Sequence, residues 1–524
     1  MAVATLVSRI SGFGKQLALA ATLGFGFLYD SYLAANTLPI MLNELLIGGV
    51  LTSVLVPILV RAAREDADGG LRYTQRLVAL ITTLLLAATT IAILAAPLLV
   101  RLLQGNGQSA NRELTTAFVY LLLPEIVFFG LGALFGAILN ARGVFSPWAW
   151  APVVNNIVVL LTLAAFWLVP GEITLSPVRM SDPKLLVLGI GTTLGIVLQV
   201  AVLLPFLRRV GFRFRWRWRI REWFQRDARL VSAARLMGWT TVYVLISQVG
   251  IVMTIRTAYT GDAGGVAIYN NAWLMLQLPY GVIGVSLLTV ILPRMSRAAA
   301  AGDNDRLIGD LSLGGRYCAV LLVPVSVVFI VAGESIGIAL FSYGAAEVSE
   351  ARRLGLAIAV AAFGLLPYAI TMLQLRVFYA MTDARTPALI MAAMVGVKVP
   401  LLLLCGAVLP DRQVVLGLTV INSFGFVIGL LAGQIWLRVR LGNLDGRRVS
   451  LVVAKTVVAG VCAALVAMSL HRVLVLPDGV PGAWAQLLLD TLIVGVVMTA
   501  VLVVLRTGEL TDALRLIRTK VRGR

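Results

Sequence analysis

The chain has 524 residues, of which 59% are hydrophobic and only 13% charged, with a mean hydropathy of +0.93 and a formal net charge of +19. That composition lies outside the range of soluble globular domains and puts most of the chain in lipid. The positive charge falls in short connections between apolar runs, where it reports topology and attraction to anionic headgroups, so no nucleic-acid partner is expected.

A spanning helix needs roughly 20 mainly apolar residues. In chain order, helices are predicted at 3–28, 31–60, 77–103, 114–141, 148–169, 184–207, 230–258, 265–293, 311–334, 353–381, 388–409, 414–437, 451–471 and 484–505, fourteen in all. The fold class is therefore an all-α polytopic membrane protein. The first stretch carries Arg9 and Lys15 and no small-residue cleavage site, so it reads as retained rather than as a secretory signal. The longest polar interruption, 207–229, is a linker. Cys318, Cys405 and Cys462 sit in apolar runs without metal-ligand spacing, which makes them packing residues.

An even helix number puts both termini on one side, and Lys/Arg placement selects it. The connections after even-numbered helices hold Arg61, Arg64, Arg72 and Arg76, then Arg142, nine arginines from Arg208 to Arg229, Arg294, Arg297 and Arg306, Arg385, and Arg438, Arg440, Arg447 and Arg448. The other connections are short or poor in basic residues, and the basic tail, Arg506 to Arg524, joins the positive side. Both termini are thus expected in the cytosol. Within the linker, FRFRWRWRI at 212–220 alternates aromatic or apolar residues with arginine, which suits a chain at headgroup level; it either binds an anionic substrate or simply joins two halves at the interface.

The chain also repeats itself. LTSVLVPILVRAA at 51–63 returns as LLTVILPRMSRAA at 287–299, and LLP at 122–124 followed by NAR at 140–142 returns as LLP at 365–367 followed by DAR at 383–385. A six-helix shift preserves orientation, so this is a parallel repeat about an axis along the membrane normal. The expected organisation is an N-lobe at 1–210, a basic cytoplasmic linker at 211–229, a C-lobe at 230–440, and two additional helices with a basic tail at 441–524. Transporters built from such repeats hold substrate near the midplane and work by rocking, a design that a channel or scaffold does not need.

Ionisable groups inside spans are functional candidates because each costs about 2.5–3.5 kcal/mol at helix centre. Lys15 lies about 18 Å along the first helix at ~1.5 Å per residue, with Arg9 nearer the cytosolic end. Arg256, Lys398 and Lys455 are the other deep cations, and Asp30, Glu44 and Glu125 are the acids. Deep lysine and arginine favour an anionic cargo, since phosphate supplies both charge and acceptor oxygens. Lys455 reads as a snorkelling residue, and Arg256 either snorkels or serves the cavity. Pro39, Pro57, Pro124, Pro279, Pro293, Pro324 and Pro367 are expected bending points. GIGTTLG at 189–195 lies inside a helix and reads as packing, and His471 as a lone interfacial residue.

Four segments carry a family resemblance: SRISGFGKQ at 8–16, the Asp30 that follows, LPIMLNELLIGGVLTSVLVPIL at 38–59, and QLPYGVIGVSLLTVILP at 277–293. Together they resemble the MurJ/MviN family of lipid II flippases, in a pattern similar to its actinobacterial members, some of which carry further cytoplasmic and extracellular parts beyond a membrane core such as this one. The resemblance implies the multidrug/oligosaccharidyl-lipid/polysaccharide exporter (MOP) fold, with two pseudo-symmetric six-helix lobes around a cationic cavity plus two C-terminal helices. It also implies alternating access that moves undecaprenyl-pyrophosphate disaccharide-pentapeptide to the outer leaflet of the cytoplasmic (inner) membrane.

The family's functional positions carry over to Ser8, Arg9 and Asp30, and conservatively to Lys15, where arginine is common. They fail at Asn43 and Leu274, which stand where the family has arginine, and at Gln277, which stands for an acid. The substrate-binding set expected from this is Ser8, Arg9, Lys15, Asn43, Arg256 and Gln277, with Arg256 replacing the missing positive charge and Asp30 serving as a gate. No covalent chemistry, cofactor or metal is expected. The membrane potential is the expected driver, at about 2.3 kcal/mol per charge per 100 mV, with lipid II, membrane lipids and cell-wall synthesis or division proteins as partners. The alternatives are an exporter of another polyprenyl-pyrophosphate glycan or of drugs on the same fold, and a non-transporting scaffold.

Overall fold

The computed structural model describes residues 2–45, 70–212, 228–474 and 476–509, and every regular element among them is helical. The chain divides into two compact units, Met1–Val266 and Ala267–Arg524. The first contains α1 (Ala2–Leu23), α2 (Phe27–Asn43), α3 (Leu71–Leu94), α4 (Ala96–Gln104), α5 (Arg112–Leu122), α6 (Glu125–Ala141), α7 (Ser146–Leu168), α8 (Pro183–Ala201), α9 (Leu204–Arg209) and α10 (Ala228–Ala258). At the boundary α11 (Gly265–Pro279) begins, followed by α12 (Val285–Ala300), α13 (Asn304–Val331), α14 (Gly333–Phe341), α15 (Val348–Ala361), α16 (Leu365–Ala380), α17 (Arg385–Val408), α18 (Asp411–Leu441), α19 (Gly446–His471) and α20 (Val480–Val504).

Among the described residues, 12 helical stretches are long and apolar enough to cross a membrane, running from Leu71–Leu94 to Val480–Val504. They match the third to fourteenth predicted helices. The first predicted helix is present as α1, which carries Arg9 and Lys15; the second is described only as far as α2 and the turn after it, and the rest of that prediction, with Pro57 and the LTSVLVPILVRAA segment, lies outside the described residues. The FRFRWRWRI segment, but for Phe212, and the tail from Leu510 lie outside them too.

Several predicted helices are two pieces, and proline explains the breaks. Pro97 and Pro205 sit in the first turns of α4 and α9, where a missing N–H costs nothing. Pro124 separates α5 from α6. A 3₁₀ turn, Ala362–Gly364, lies just before the matching LLP, so the repeated motif marks an interruption in both copies. Between α11 and α12 the chain forms a π turn, Tyr280–Gly284, directly after Pro279. Pro39, Pro293 and Pro324 are instead accommodated inside continuous helices.

Small residues set the close crossings. In the first unit, a Cβ on Gly191 or Gly195 of α8 would overlap Thr162 or Asn155 of α7, so GIGTTLG is a packing surface. Asn156 of α7 reaches α1, donating to the Ser8 carbonyl at 3.2 Å and the Ser11 hydroxyl at 3.0 Å. In the second unit, α19 and α20 pack on α13 through Val323, Val327, Ala459, Ala463, Val494, Met498 and Leu502. The cysteines are free; Cys318 and Cys405 are buried. His471 is not alone: its ring nitrogen lies 2.7 Å from Asp490, a buried acid of α20 that Gln486 also contacts.

Candidate functional site

Some of the polar residues singled out in the first unit form two groups, one along α1 and one where α1 turns into α2. Along α1, Ser8 is tied by its carbonyl to Asn156, and Arg9 is half-buried. Lys15, two turns further, is half-buried and interacts through its charge with Glu125 at the start of α6. Glu125 is only 1% exposed. Pro124 ends the preceding helix and caps a new one, which puts Glu125 in the first turn of α6. Thr193 of α8 donates to the Leu121 carbonyl at 2.7 Å and contacts Glu125 at 3.4 Å. Lys15 is thus part of a polar wall with an acid of its own. Tyr32 and Thr192 extend the wall, with their hydroxyls 3.1 Å apart, and Gln16 donates to the Tyr29 hydroxyl at 2.9 Å.

The second group centres on Asp30, which is 1% exposed. One carboxylate oxygen accepts the Gly264 N–H at 2.7 Å, and the Asp30 carbonyl accepts the Tyr259 hydroxyl at 3.2 Å. Burial, with the Asp30 charge beside it, holds the Tyr259 phenol well above its ordinary range, which keeps it a donor. Ser109 binds the Tyr259 carbonyl through both its N–H and its hydroxyl. The α1–α2 turn is therefore fastened to the end of α10 and the turn after it.

Gly264 is needed in this knot. It sits at φ +86, and a Cβ there would come 2.6 Å from the Phe25 carbonyl oxygen. Gly264→Ala is expected to lower stability by about 1–2 kcal/mol from the backbone conformation alone, and further from the overlap. Thermal unfolding in detergent beside Gly14→Ala, whose Cβ would meet open space, checks this; equal midpoints for both variants would contradict it.

The other expected residues are dispersed. Asn43 closes α2, with its side-chain oxygen buried and without a hydrogen-bond partner among the described residues. Its neighbour Glu44 is exposed and accepts from Gln248 of α10 at 2.8 Å. Arg256 is exposed in the last turn of α10 and lies over Gly105. In the second unit, Gln277 is half-buried in the last turn of α11, and Lys398 of α17 donates to Asn422 at 2.9 Å. Lys455 donates to the Leu505 carbonyl at 2.7 Å, at the end of α20.

Sequence reasoning missed Asn156, Thr193, Tyr259 and Gly264, whose roles depend on contacts across 68 to 234 positions. It also missed an aromatic cluster in the second unit, where Trp273 stacks on Phe426 at 5.4 Å and Tyr368 touches both.

The family profile described as lipid II flippase MurJ matches residues 19–489. A relative from Vibrio cholerae, described as a probable lipid II flippase MurJ, is 26% identical over 73% of this chain and 72% of its own length. A solved structure of a lipid II flippase MurJ in an inward closed conformation superposes with a TM-score of 0.75 at 17% identity, covering 96% of this chain and 99% of that one. An inward-facing multidrug transporter of the MATE family within the MOP superfamily follows at 0.61 and 15% identity, with 85% and 99% covered, which places all three on one fold. The chain belongs to the MurJ family of lipid II flippases.

Proposed function

We propose that this protein carries lipid II, the undecaprenyl-pyrophosphate disaccharide-pentapeptide, from the cytoplasmic to the outer leaflet of the inner membrane by alternating access of its two halves. The observation that carries the proposal is the family match over most of the chain, joined to a half-buried lysine on α1. Arg9, near the cytosolic end of α1, attracts the pyrophosphate; Lys15 holds it further in; Ser8 and Asn43 offer hydrogen bonds beside the same path. Gln277 takes a neutral part where the family has an acid, and Arg256 compensates for the arginine missing at Leu274. Asp30 acts as the outer gate.

With α1 and the second predicted helix counted as spans, this reading has fourteen, six in each lobe and two beyond. Both termini lie in the cytosol, as the Lys/Arg distribution requires. The isoprenoid tail stays in lipid while the head crosses, so no bond is made or broken. The membrane potential resets the empty, positively charged carrier. A cationic drug is a poor cargo for a carrier that sets Arg9 and then Lys15 along α1, which favours an anionic lipid over a drug.

The test in cells is replacement. In a bacterium whose own lipid II flippase can be switched off, this chain is expected to sustain growth and wall synthesis. Death of those cells with the protein inserted and folded would refute the proposal.

A further inference from the structure

At the basic end of the second unit, α12 and α13 meet in a helical hairpin that borders an open cavity of about 700 Å³. Its walls are two helix faces. Arg294, Arg297 and Ala298 follow one another at helical spacing on α12, with Ala301 just past its end, as do Arg306, Asp310, Leu313 and Arg316 on α13. Gly302, at φ +68, and Asp303, whose side chain accepts the Arg306 N–H at 3.1 Å, form the turn between them.

The cations outnumber what the acids hold. Arg294 pairs with the buried Asp310 at 2.7 Å, Arg306 pairs with Asp303, and Arg316 pairs with Glu509. Arg297 has no carboxylate among the described residues and turns its Nε only to the Pro293 carbonyl. The Arg316 Nε is buried without an acceptor. Arg297, exposed on α12, therefore retains donors for an anion, and a phosphate at this site can accept from them while the paired arginines around it add positive charge.

We propose that this cavity binds the phosphate of an anionic glycerophospholipid headgroup. Val290, 66% exposed and one turn before Arg294 on the same face of α12, sets an exposed apolar side chain beside the arginines, where an acyl chain below a headgroup can lie. Among the described residues no aromatic side chain lines the cavity to stack a base, which disfavours a nucleotide. Only the leaflet depends on the orientation proposed above: with the termini in the cytosol, the lipid comes from the cytoplasmic leaflet. The inference adds a site that the flippase proposal does not use.

The test is a titration of the purified full chain in uncharged detergent with short-chain phosphatidylglycerol, phosphatidylcholine of the same chain length, and inorganic phosphate, with bound lipid read by native mass spectrometry. Phosphatidylglycerol is expected to bind more tightly than the other two. Arg297→Gln is expected to weaken it about fivefold, as for one basic residue at a membrane surface, while Arg208→Gln, at another exposed basic position, leaves it unchanged. Equal binding of the two lipids, equal loss in both variants, or phosphate binding as well as the lipid would overturn the proposal. The readout is binding to purified protein, so it fails or succeeds independently of lipid II transport.

Discussion

Lys15→Ala is expected to lower lipid II translocation by roughly 10- to 100-fold, because a charge-assisted hydrogen bond to the pyrophosphate is worth about 1.5–3 kcal/mol. Lys15→Arg keeps the charge and should retain most of the activity. The neighbouring acid complicates the simple deletion. Glu125 is buried and its charge interacts with Lys15, so removing the lysine also strips an acid in the wall of a nearby cation. The double variant Lys15→Ala with Glu125→Gln separates the two effects. If Lys15 binds cargo, the double variant folds as well as the parent and still fails to transport. Restored transport in the double variant would reduce Lys15 to neutralising Glu125.

Asp30→Ala is expected to have the second large effect. The substitution leaves the Gly264 N–H without the acceptor it has at 2.7 Å, in a site where an unmade bond costs about 1–3 kcal/mol. A gate held by that contact in one state of the cycle shifts its equilibrium by roughly 5- to 150-fold when the contact is lost. Asp30→Asn, which retains an oxygen acceptor, should fall between the parent and Asp30→Ala in both thermal stability and translocation. A neutral effect of Asp30→Ala on transport, with the protein destabilised as expected, would leave Asp30 a structural residue only.

The sequence made the spans legible because each is an apolar run of helical length, and the signal does not depend on what packs against what. It also marked Asp30 and Lys15, since ionisable groups in such runs stand out. Interruptions inside the runs were harder. Pro124 and Pro279 fall at real breaks, whereas Pro293 and Pro324 do not, and proline alone carries no record of which neighbours satisfy the freed carbonyl.

Partners across the chain were not legible at all. Nothing near Asp30 announces that Gly264 will donate to it, and nothing near Lys15 announces that Glu125, one residue after a proline 109 positions later, will share its surroundings. The same reason hid the pairing of His471 with Asp490 and the facing arginine stripes of α12 and α13. Arg256 shows the converse. Its place near a helix end was readable, and its position over Gly105 follows from the loop that α4 and α5 share.

The measurement closest to the central claim is the protected fraction of labelled lipid II over time in liposomes containing this protein, under an imposed membrane potential of either sign, with Lys15→Ala and a cationic dye as controls. Movement of lipid II that depends on Lys15, with the dye left in place, is the predicted result. Dye transport without lipid II movement at either potential would contradict the account and make this protein an exporter of another cargo.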